Sequence, residues 1–228
     1  MSLPDWVEPV ARYMFQEGLR GTLRIAVISV VASTVIGVVL GTLLTIRFWP
    51  TRWLIRFYIE VWRGLPIIVT LFMIFFLGPL IADQFEFDPF TAATIGLTLW
   101  GSAQVAEATR GAVQSIPREQ HEAASALGFG WVGRHVYVIL PQALRRLIPP
   151  LVTLLVGIIL NSTLAQIIGA NELLESAERS VERLAAPPPS GQFEIHAIEI
   201  YGAVMVVFFL ICFPLTRLAA YLERKLVA

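Results

Sequence analysis

The 228-residue sequence contains one cysteine and one lysine, and both scarcities exclude whole classes of protein. Because Cys212 stands alone inside an apolar run, no intrachain disulfide and no cysteine-based metal site can form, and we expect a buried small side chain. A P-loop needs a lysine that reaches the nucleotide phosphates, but Lys225 has no glycine-rich loop before it. The chain is therefore not itself a Walker-type ATPase.

Other signatures of chemistry are also missing. The three histidines, His121, His135 and His196, fit no zinc spacing, and no Gly-x-Ser-x-Gly motif occurs. The formal net charge is +0 and the pI about 6.8, which gives no electrostatic footprint for nucleic acid. The N-terminal region lacks a basic segment followed by an apolar core, so we expect no cleaved signal peptide. We expect neither an enzyme nor a metal site.

Charged residues are scarce, at 15%, while 56% of residues are hydrophobic and the mean hydropathy is +0.70. This composition is typical of a chain embedded in a bilayer. A helix needs about 20 apolar residues to cross the hydrocarbon core. Such stretches predict an all-α membrane protein with one transmembrane domain over residues 1–228 and five spans, at residues 22–46, 61–82, 90–112, 149–168 and 198–218.

The arginines predict the orientation. With five spans the termini lie on opposite faces, and the face richer in Lys and Arg is cytoplasmic. One face collects Arg47, Arg52, Arg56, Arg63, Arg110, Arg118, Arg134, Arg145, Arg146, Arg217, Arg224 and Lys225. The other has Arg12, Arg20, Arg24, Arg179 and Arg183, and its loops are acidic, with Asp83, Glu86, Asp88, Glu172, Glu175, Glu178, Glu182 and Glu194. We therefore expect the N-terminus outside and the C-terminus in the cytoplasm, although Arg20 and Arg24 oppose this weakly.

Three shorter segments complete the predicted organisation. Residues 6–14 and 52–62 place apolar side chains on one helical face, which indicates helices lying on the outer and inner membrane surfaces. Residues 185–191 contain three consecutive prolines and predict an extended outer linker. No internal repeat is visible, which makes an inverted-repeat secondary transporter a weaker interpretation.

The loop at residues 115–141 combines helix signals with a glycine-rich turn between apolar segments. Ser115 as a capping hydroxyl, Pro117 and Glu119 predict a helix start, and Gly128 predicts its end. Small residues at 123–126 would let another backbone approach closely. We expect a second helical piece after residue 133 to end or kink at Pro141. Taken alone, this pattern indicates an amphipathic loop helix at a membrane surface.

Ordered motifs give a more specific interpretation. Glu122-Ala123-Ala124, then Gly128 and Val138-Ile139-Leu140-Pro141, resemble the signature loop of bacterial ABC importer permeases, with Val138 in place of isoleucine. The resemblance extends to the polar amino acid subfamily, of the histidine, arginine, glutamine and glutamate type. It rests further on Gly21-Thr22-Leu23, on Glu60 to Pro66 with Leu65 in place of threonine, on Ala106 to Gly111, and on Gln114 to Pro117 with Gln120.

This resemblance implies a type I importer permease subunit in the bacterial cytoplasmic membrane. Its coupling helix would sit in a cleft of a separate ATPase, with Glu122 pairing to basic groups, Ala123 and Ala124 allowing close approach, and Gly128 allowing the turn. Arg118 and Arg134 would flank the contact, and Leu140 and Pro141 would close the loop. The implied partners are two ABC ATPase subunits, a second permease subunit, identical or similar, and an extracytoplasmic solute-binding protein. ATP and Mg²⁺ would be bound by the ATPase, with no cofactor in this chain.

Polar residues within the spans are candidates for a substrate pathway, since they usually face a bundle interior or a water-filled cavity. These are Gln104 and Glu107, one helical turn apart, and Asn161, Thr163 and Gln166, with Ser162 beside them. Interhelical hydrogen bonding without substrate contact is the alternative. Arg63 and Glu60 are expected to form a structural or gating pair. Leu160-Asn161 departs from the Lys-Asp found in many members, so the choice of substrate, or whether this subunit holds it, stays open.

Two other interpretations remain. An ion-coupled secondary amino acid transporter or channel would need no ATPase but would need a relay of ionisable groups, for which Glu107 is the clear candidate. An assembly subunit would use Gln104, Glu107 and Asn161 only for packing. A stoichiometric nucleotide-binding partner distinguishes the ABC permease from both.

Overall fold

A computed structural model describes residues 4–45, 48–81, 86–185 and 196–226. In these four ranges the backbone forms helices and no strand. The helices are α1 (Val7–Leu43), α2 (Trp49–Gly64), α3 (Ile67–Ile81), α4 (Pro89–Gln114), α5 (Arg118–Ala126), α6 (Trp131–Ile168), α7 (Leu173–Ala185) and α8 (Ala197–Leu226). The predicted linker at 185–191 lies, apart from Ala185, outside the described residues.

Within the described ranges, three helices are long and apolar enough to cross a membrane: α1, α6 and α8. A fourth crossing is possible if α2 and α3, which meet at a bend of 107°, form one span. The predicted span at 90–112 corresponds to α4, which has 26 residues but carries many small and polar side chains. The predicted number of five spans therefore stays a prediction.

Several predicted segments differ from the helices of the structure, and a proline or a π-helical turn lies at some of these differences. The predicted span at 61–82 is broken because Leu65, which precedes a proline, is extended at φ −83° and ψ 136°. Residues 6–14 do not form a separate helix, because α1 continues through a π-helical turn at Met14–Leu19. The helix that contains the predicted span at 149–168, α6, begins at Trp131, and α8 extends beyond residue 218 to Leu226.

The contacts divide the chain into two compact units. The first unit comprises Met1–Ser29, Ile67–Leu97 and Gly157–Pro214. Its core joins the start of α1, α7 and α8 through Met14, Leu173, Ala177, Ile200 and Val204. Thr22 Oγ1 accepts the backbone N–H of Leu173 at 3.0 Å, so α1 also holds the first residue of α7.

The second unit comprises Val30–Pro66, Thr98–Val156 and Leu215–Ala228. One core cluster joins α1, α2 and α4, and its buried members are Leu44, Ile55, Ile59 and Ala106. A second cluster joins α4 to the start of α6, and its buried members are Val113, Ile116, Ile139 and Ala143. Tyr58 on α2 also hydrogen-bonds Ser102 on α4 through their hydroxyl groups at 2.7 Å. The prediction of a single domain over residues 1–228 stays a prediction.

Small residues bring α1 and α4 into close contact in the second unit. Ser33 donates its hydroxyl to the carbonyl oxygen of Thr98 at 3.2 Å, and Gly37 and Gly41 follow at four-residue intervals. A Cβ atom on Gly41 would lie 2.4 Å from the carbonyl oxygen of Ala106. Such small-residue stripes let helix backbones approach each other in membranes. This contact holds the part of α4 that carries the candidate pathway residues.

We expect Gly41→Ala to lower the stability of the purified protein by about 1–3 kcal/mol, because overpacking forces backbone shifts. The measurement is the midpoint of thermal unfolding in detergent. Gly202→Ala on α8 is the matched control, since a Cβ there meets nothing within 4 Å. Equal midpoints in the two variants would contradict the close α1–α4 contact.

Candidate functional site

The loop at residues 115–141 contains a short, well-ended helix. Helix α5 ends as predicted at Gly128, whose φ of +82° lies in the left-handed region that favours glycine. The N–H of Gly128 donates to Ser125 O at 3.0 Å, and the N–H of Phe129 donates to Ala124 O at 3.1 Å. These two bonds form a Schellman motif, which satisfies carbonyl groups at the helix end. The direction in which the chain leaves α5 is thus fixed by the backbone.

The predicted cap at Ser115 is wrong. Pro117 occupies the N-cap position of α5, and no side chain caps the helix. Ser115 comes too early in the chain to reach the first N–H groups of α5, and its hydroxyl donates to Ala112 O at 2.7 Å. Ser115 also receives two hydrogen bonds from Arg146 Nη1, at 2.7 Å to its carbonyl oxygen and 2.8 Å to Oγ. It therefore ties the end of α4 to α6.

The surface of α5 is divided between an exposed face and a buried face. Arg118 Nε donates to Glu122 Oε1 at 2.8 Å, and their side chains are 88% and 63% exposed. Such an exposed pair is worth only about 0.3–0.5 kcal/mol, so either side chain can change partner readily. Ala123 is exposed, whereas Ala124 is 2% exposed. Arg118, Glu122 and Ala123 are therefore available to another chain, while Ala124 packs inside this one.

The second half of the loop does not end at Pro141. Leu140 and Pro141 lie inside α6, which runs on to Ile168. A π-helical turn at His135–Ile139 comes directly before them. Proline lacks an N–H group and clashes with the carbonyl four residues earlier, and a π-helical turn widens the helix at that point. The loop therefore passes into a long membrane helix without a break.

Two further contacts hold α5 against α6. Arg134 Nη1 donates to Ser125 Oγ at 2.8 Å, and Gln142 Nε2 donates to Gln120 Oε1 at 3.4 Å. Arg134 is one of the two predicted flanking arginines, but sequence reasoning missed Gln142. The one sequence feature that could have indicated Gln142 is its position one helical turn before Arg146. These bonds connect both ends of α5 to α6, and the Arg146 contacts hold the end of α4 to the same helix.

A buried histidine connects the same region to the end of α1. His135 Nδ1 donates to Trp131 O at 2.9 Å, because a carbonyl oxygen can only accept. Its Nε2 lies 3.1 Å from the Thr45 hydroxyl oxygen. No sequence signal indicates this contact, since the two residues are 90 positions apart. The π-helical turn at the start of α6 is thus attached to α1 as well as to α5.

The structure gives Gln104 and Glu107 partners on the second unit. Arg63 Nε donates to Gln104 Oε1 at 3.2 Å. Arg110 donates to both carboxylate oxygens of Glu107, from Nε at 3.0 Å and from Nη2, and its Nη1 donates to Gln114 Oε1 at 2.6 Å. Glu60 and Arg63, both among the described residues, do not form the predicted ion pair. The guanidinium groups of Arg63 and Arg110 and the carboxylate of Glu107 therefore lie along the side of α4 that carries Gln104 and Glu107.

The other predicted pathway residues belong to the first unit. Asn161 Nδ2 donates to Gly157 O at 2.7 Å, and Thr163 Oγ1 donates to Leu160 O at 2.7 Å, so both bond to their own helix. Gln166 differs, because its Oε1 is buried and, within the described part of the chain, has no hydrogen-bond partner. Unsatisfied buried polar atoms are uncommon. Among Asn161, Thr163 and Gln166, it is Gln166 whose buried side-chain oxygen lacks a hydrogen bond from the described residues.

Glu172 is a buried carboxyl group that sequence reasoning placed only in an acidic outer loop. It is fully buried, and it accepts the N–H groups of Leu174 at 3.0 Å and Glu175 at 2.6 Å. It thereby caps α7, as its position before Leu173 requires. Burial raises the pKa of Glu172 from 4.5 to about 7, with the neighbouring Glu175 adding to the rise. The sequence signal was a carboxylate directly before an amphipathic helix.

The raised pKa predicts a pH dependence of stability. Because the folded-state pKa exceeds the unfolded value, the contribution of Glu172 is fully present below about pH 4.5 and is lost as the pH rises through 7. The shift corresponds to roughly 3 kcal/mol. We expect the thermal midpoint to fall as the pH rises from about 4.5 to 7, and the fall to shrink in Glu172→Gln. The exposed Glu178→Gln is the control, and an unchanged pH profile in Glu172→Gln would contradict the assignment.

Comparison with known proteins identifies the class. The sequence pattern of the family described as binding-protein-dependent transport system inner membrane component matches residues 10–228. The chain is 36% identical over 210 residues to the glutamine transport system permease protein GlnP of Escherichia coli strain K12, covering 92% of this chain and 91% of that protein. It is 34% identical over 209 residues to the probable amino-acid ABC transporter permease protein YckA of Bacillus subtilis strain 168, covering 92% and 87%.

A solved structure agrees with these relatives. The chain matches the crystal structure of an amino acid ABC transporter with histidines at a TM-score of 0.79 and 25% identity, over 99% of this chain and 100% of that one. The fold is thus that of a permease subunit of the type I ABC importer class, which confirms the predicted all-α fold. The chain belongs to the family of binding-protein-dependent transport system inner membrane components. It is a multi-pass inner-membrane transport component.

Proposed function

We propose that this chain is the transmembrane subunit of an ATP-driven importer that carries polar or charged amino acids across the cytoplasmic membrane. In this proposal a separate ATPase grips the loop from Glu122 to Pro141. The observation that carries the proposal is α5 itself: a largely exposed helix ended by Gly128 and hydrogen-bonded near both ends to the long helix α6. Motion of α5 would be passed to α6 because these bonds leave little freedom between them.

Exposed apolar side chains around α5 support a protein partner. Leu127 is 78% exposed and Tyr137 is 72% exposed, and Phe129, Val132 and Val136 are exposed beside them. Apolar patches of this kind mark interaction sites. Arg118 and Glu122 add a readily exchanged ion pair at the same surface. The arginine distribution supports a cytoplasmic position for the loop, with the N-terminus outside.

The charged groups on α4 support an amino acid as substrate. A zwitterion needs a cation for its carboxylate and an anion for its ammonium group. Glu107 lies against Arg110, and Arg63 bonds Gln104 one helical turn away. We propose that Glu107 receives the ammonium group, while Asn161, Thr163 and Gln166 contribute polar atoms to the pathway. The named substrates of the relatives, glutamine among them, fit this chemistry.

The proposed assembly contains this chain and a second permease subunit, identical or similar, two ABC ATPase subunits and an extracytoplasmic solute-binding protein. ATP and Mg²⁺ would be bound by the ATPase. The test is purification of the chain from its own membrane, followed by transport assays in vesicles. We expect a stoichiometric ATPase and uptake that needs ATP and the solute-binding protein. Uptake driven by an ion gradient without nucleotide would instead indicate the ion-coupled alternative.

The link between Ser115, at the start of the loop, and α6 can be tested separately. Arg146→Met removes both hydrogen bonds to Ser115, and we expect the amount of substrate carried per ATP hydrolysed to fall about tenfold, as the loss of charge-assisted bonds suggests. The measurement is the ratio of uptake to ATPase activity in vesicles. Arg145→Met removes the same charge from the neighbouring position and should leave the ratio unchanged. Equal ratios in the two variants would show that the Arg146 bonds do not transmit motion.

A further inference from the structure

Two arginines near the start of α1 are not used by the proposed transport function. Arg20 and Arg24 lie one helical turn apart, and both are exposed. Within the part of the chain that the structure describes, neither guanidinium makes a hydrogen bond or an ion pair. Most other described arginines differ: Arg12 pairs with Glu8, Arg179 pairs with Glu175, and Arg183 lies over the ring of Tyr13. The pair is therefore an unneutralised double positive charge.

The pair borders an open apolar groove on the surface of α1. The groove has a volume of about 460 Å³ and is lined, besides the two arginines, by Phe15, Leu19, Leu23, Val27 and Ile28. Of these apolar side chains all but Leu19 are exposed large hydrophobics. Further exposed aliphatic residues follow along the helix at four-residue intervals, at Val31, Val35 and Val39. A cationic head therefore adjoins a long apolar surface.

This combination matches the shape and charge of a phospholipid. Arginine presents a planar fork of donors that suits phosphate oxygens, and two guanidiniums one turn apart can contact the same phosphodiester. Long cationic side chains near the end of a membrane helix extend to the headgroup level while their stems cover apolar surface. The apolar groove can receive an acyl chain, which a free phosphate ion lacks. Both properties point to a lipid as the occupant.

We propose that this groove binds one anionic phospholipid, with its phosphodiester between Arg20 and Arg24 and an acyl chain over Leu23, Val27 and Ile28. A net negative headgroup is preferred because two cations face it, whereas a zwitterionic headgroup carries its own ammonium group. The site also accounts for two arginines on the face that otherwise has few. It requires only that α1 lies in a bilayer, so it does not depend on the ATPase or on the transported substrate.

The test uses the complete transporter in nanodiscs of phosphatidylcholine that contain a minor fraction of photoactivatable phosphatidylglycerol. After illumination, mass spectrometry measures lipid attached to residues 15–28. We expect labelling of this segment, and a decrease of about tenfold in the Arg20→Gln/Arg24→Gln double variant, since charge-assisted bonds are lost. Arg12→Gln, which removes a paired charge from the same helix, should leave the labelling unchanged.

A second arm separates a lipid from a bare anion. Val27→Trp fills the groove but keeps both arginines, and we expect it also to reduce labelling, whereas added inorganic phosphate should compete weakly. Thermal midpoints of all variants confirm that they are folded. The proposal is overturned by equal labelling in the double variant, by equal labelling with photoactivatable phosphatidylcholine, or by full labelling in Val27→Trp. Absence of labelling in the native sequence, as when another subunit covers the face, also overturns it.

Discussion

Replacement of Gly128 by aspartate is expected to leave the chain inserted in the membrane but to abolish uptake and substrate-stimulated ATP hydrolysis. At φ +82° any side chain is strained, by about 1–2 kcal/mol. Aspartate also adds a negative charge at the C-terminal end of α5, where the helix dipole is unfavourable to it. Because the Schellman bonds fix how the chain leaves α5, their distortion changes the surface offered to the ATPase. Basal ATPase activity of the assembled complex should persist.

Two comparison variants make this result specific. Gly128→Val carries no charge but is β-branched, so it should uncouple through backbone strain alone. Gly130→Ala is the matched control, because Gly130 has an ordinary φ of −67° and a Cβ there meets nothing within 4 Å. The measurements are membrane insertion, uptake and ATPase stimulation by the loaded solute-binding protein. Normal uptake in Gly128→Asp would remove the loop from the coupling mechanism.

Glu107→Gln is expected to raise the substrate KM for uptake by about tenfold or more, as loss of one charge-assisted bond to an ammonium group suggests. Glutamine keeps the shape of the side chain and an acceptor oxygen, so the change reports mainly the charge. It also leaves Arg110 without its carboxylate, which should shift specificity toward substrates with an extra negative charge. The measurement is a substrate panel on the reconstituted transporter.

The same panel tests the residues of the first unit. Asn161→Ala should have a smaller effect, because the Asn161 amide already bonds Gly157 of its own helix. Gln166→Leu should have a larger effect than Asn161→Ala, because its buried oxygen lacks a partner among the described residues. Unchanged affinity and specificity in Glu107→Gln and Asn161→Ala together would remove both residues from the pathway. ATPase stimulation measured in parallel separates loss of binding from loss of coupling.

Local signals in the sequence predicted local structure well. Gly128 could be identified as a helix end because a left-handed C-cap requires only one permissive residue. Apolar runs identified the membrane helices α1, α6 and α8, since crossing a bilayer is a property of a single segment. The order of motifs around Glu122 to Pro141 identified the family. For the helix end and the membrane helices, the physical cause lies within about twenty residues of its effect.

Contacts between distant segments could not be predicted. Arg146 and Ser115 are 31 residues apart, and Leu173 bonds to Thr22 across 151 positions. Local rules therefore assigned Ser115 to a cap and left Glu172 in an acidic loop. The helical piece predicted to end or kink at Pro141 does not end there. Proline usually ends a helix, but Pro141 follows a π-helical turn that widens the helix, and the helix continues.

These distant contacts attach the loop at residues 115–141 to the long helices. Helix α5 is not a flexible appendage, because Arg134 and Gln142 bond to it from α6, and Arg146 bonds Ser115 just before its start. The His135 contact to Thr45 joins the start of α6 to the end of α1. A partner that moves α5 would therefore move the beginning of α6 and the end of α1. The exposed face of α5, with Arg118, Glu122 and Ala123, is where such a partner would hold it.

Cysteine cross-linking across this face tests the central proposal most directly. In a chain whose one cysteine, Cys212, is replaced by alanine, Ala123→Cys and Ala124→Cys introduce neighbouring thiols of opposite exposure. We expect a short bifunctional maleimide to join Ala123→Cys to the ATPase, with a yield that changes when ATP is added, and to leave Ala124→Cys unreacted. Failure of Ala123→Cys to join the ATPase in an active transporter, or equal yields at the two positions, would contradict docking of the ATPase on α5.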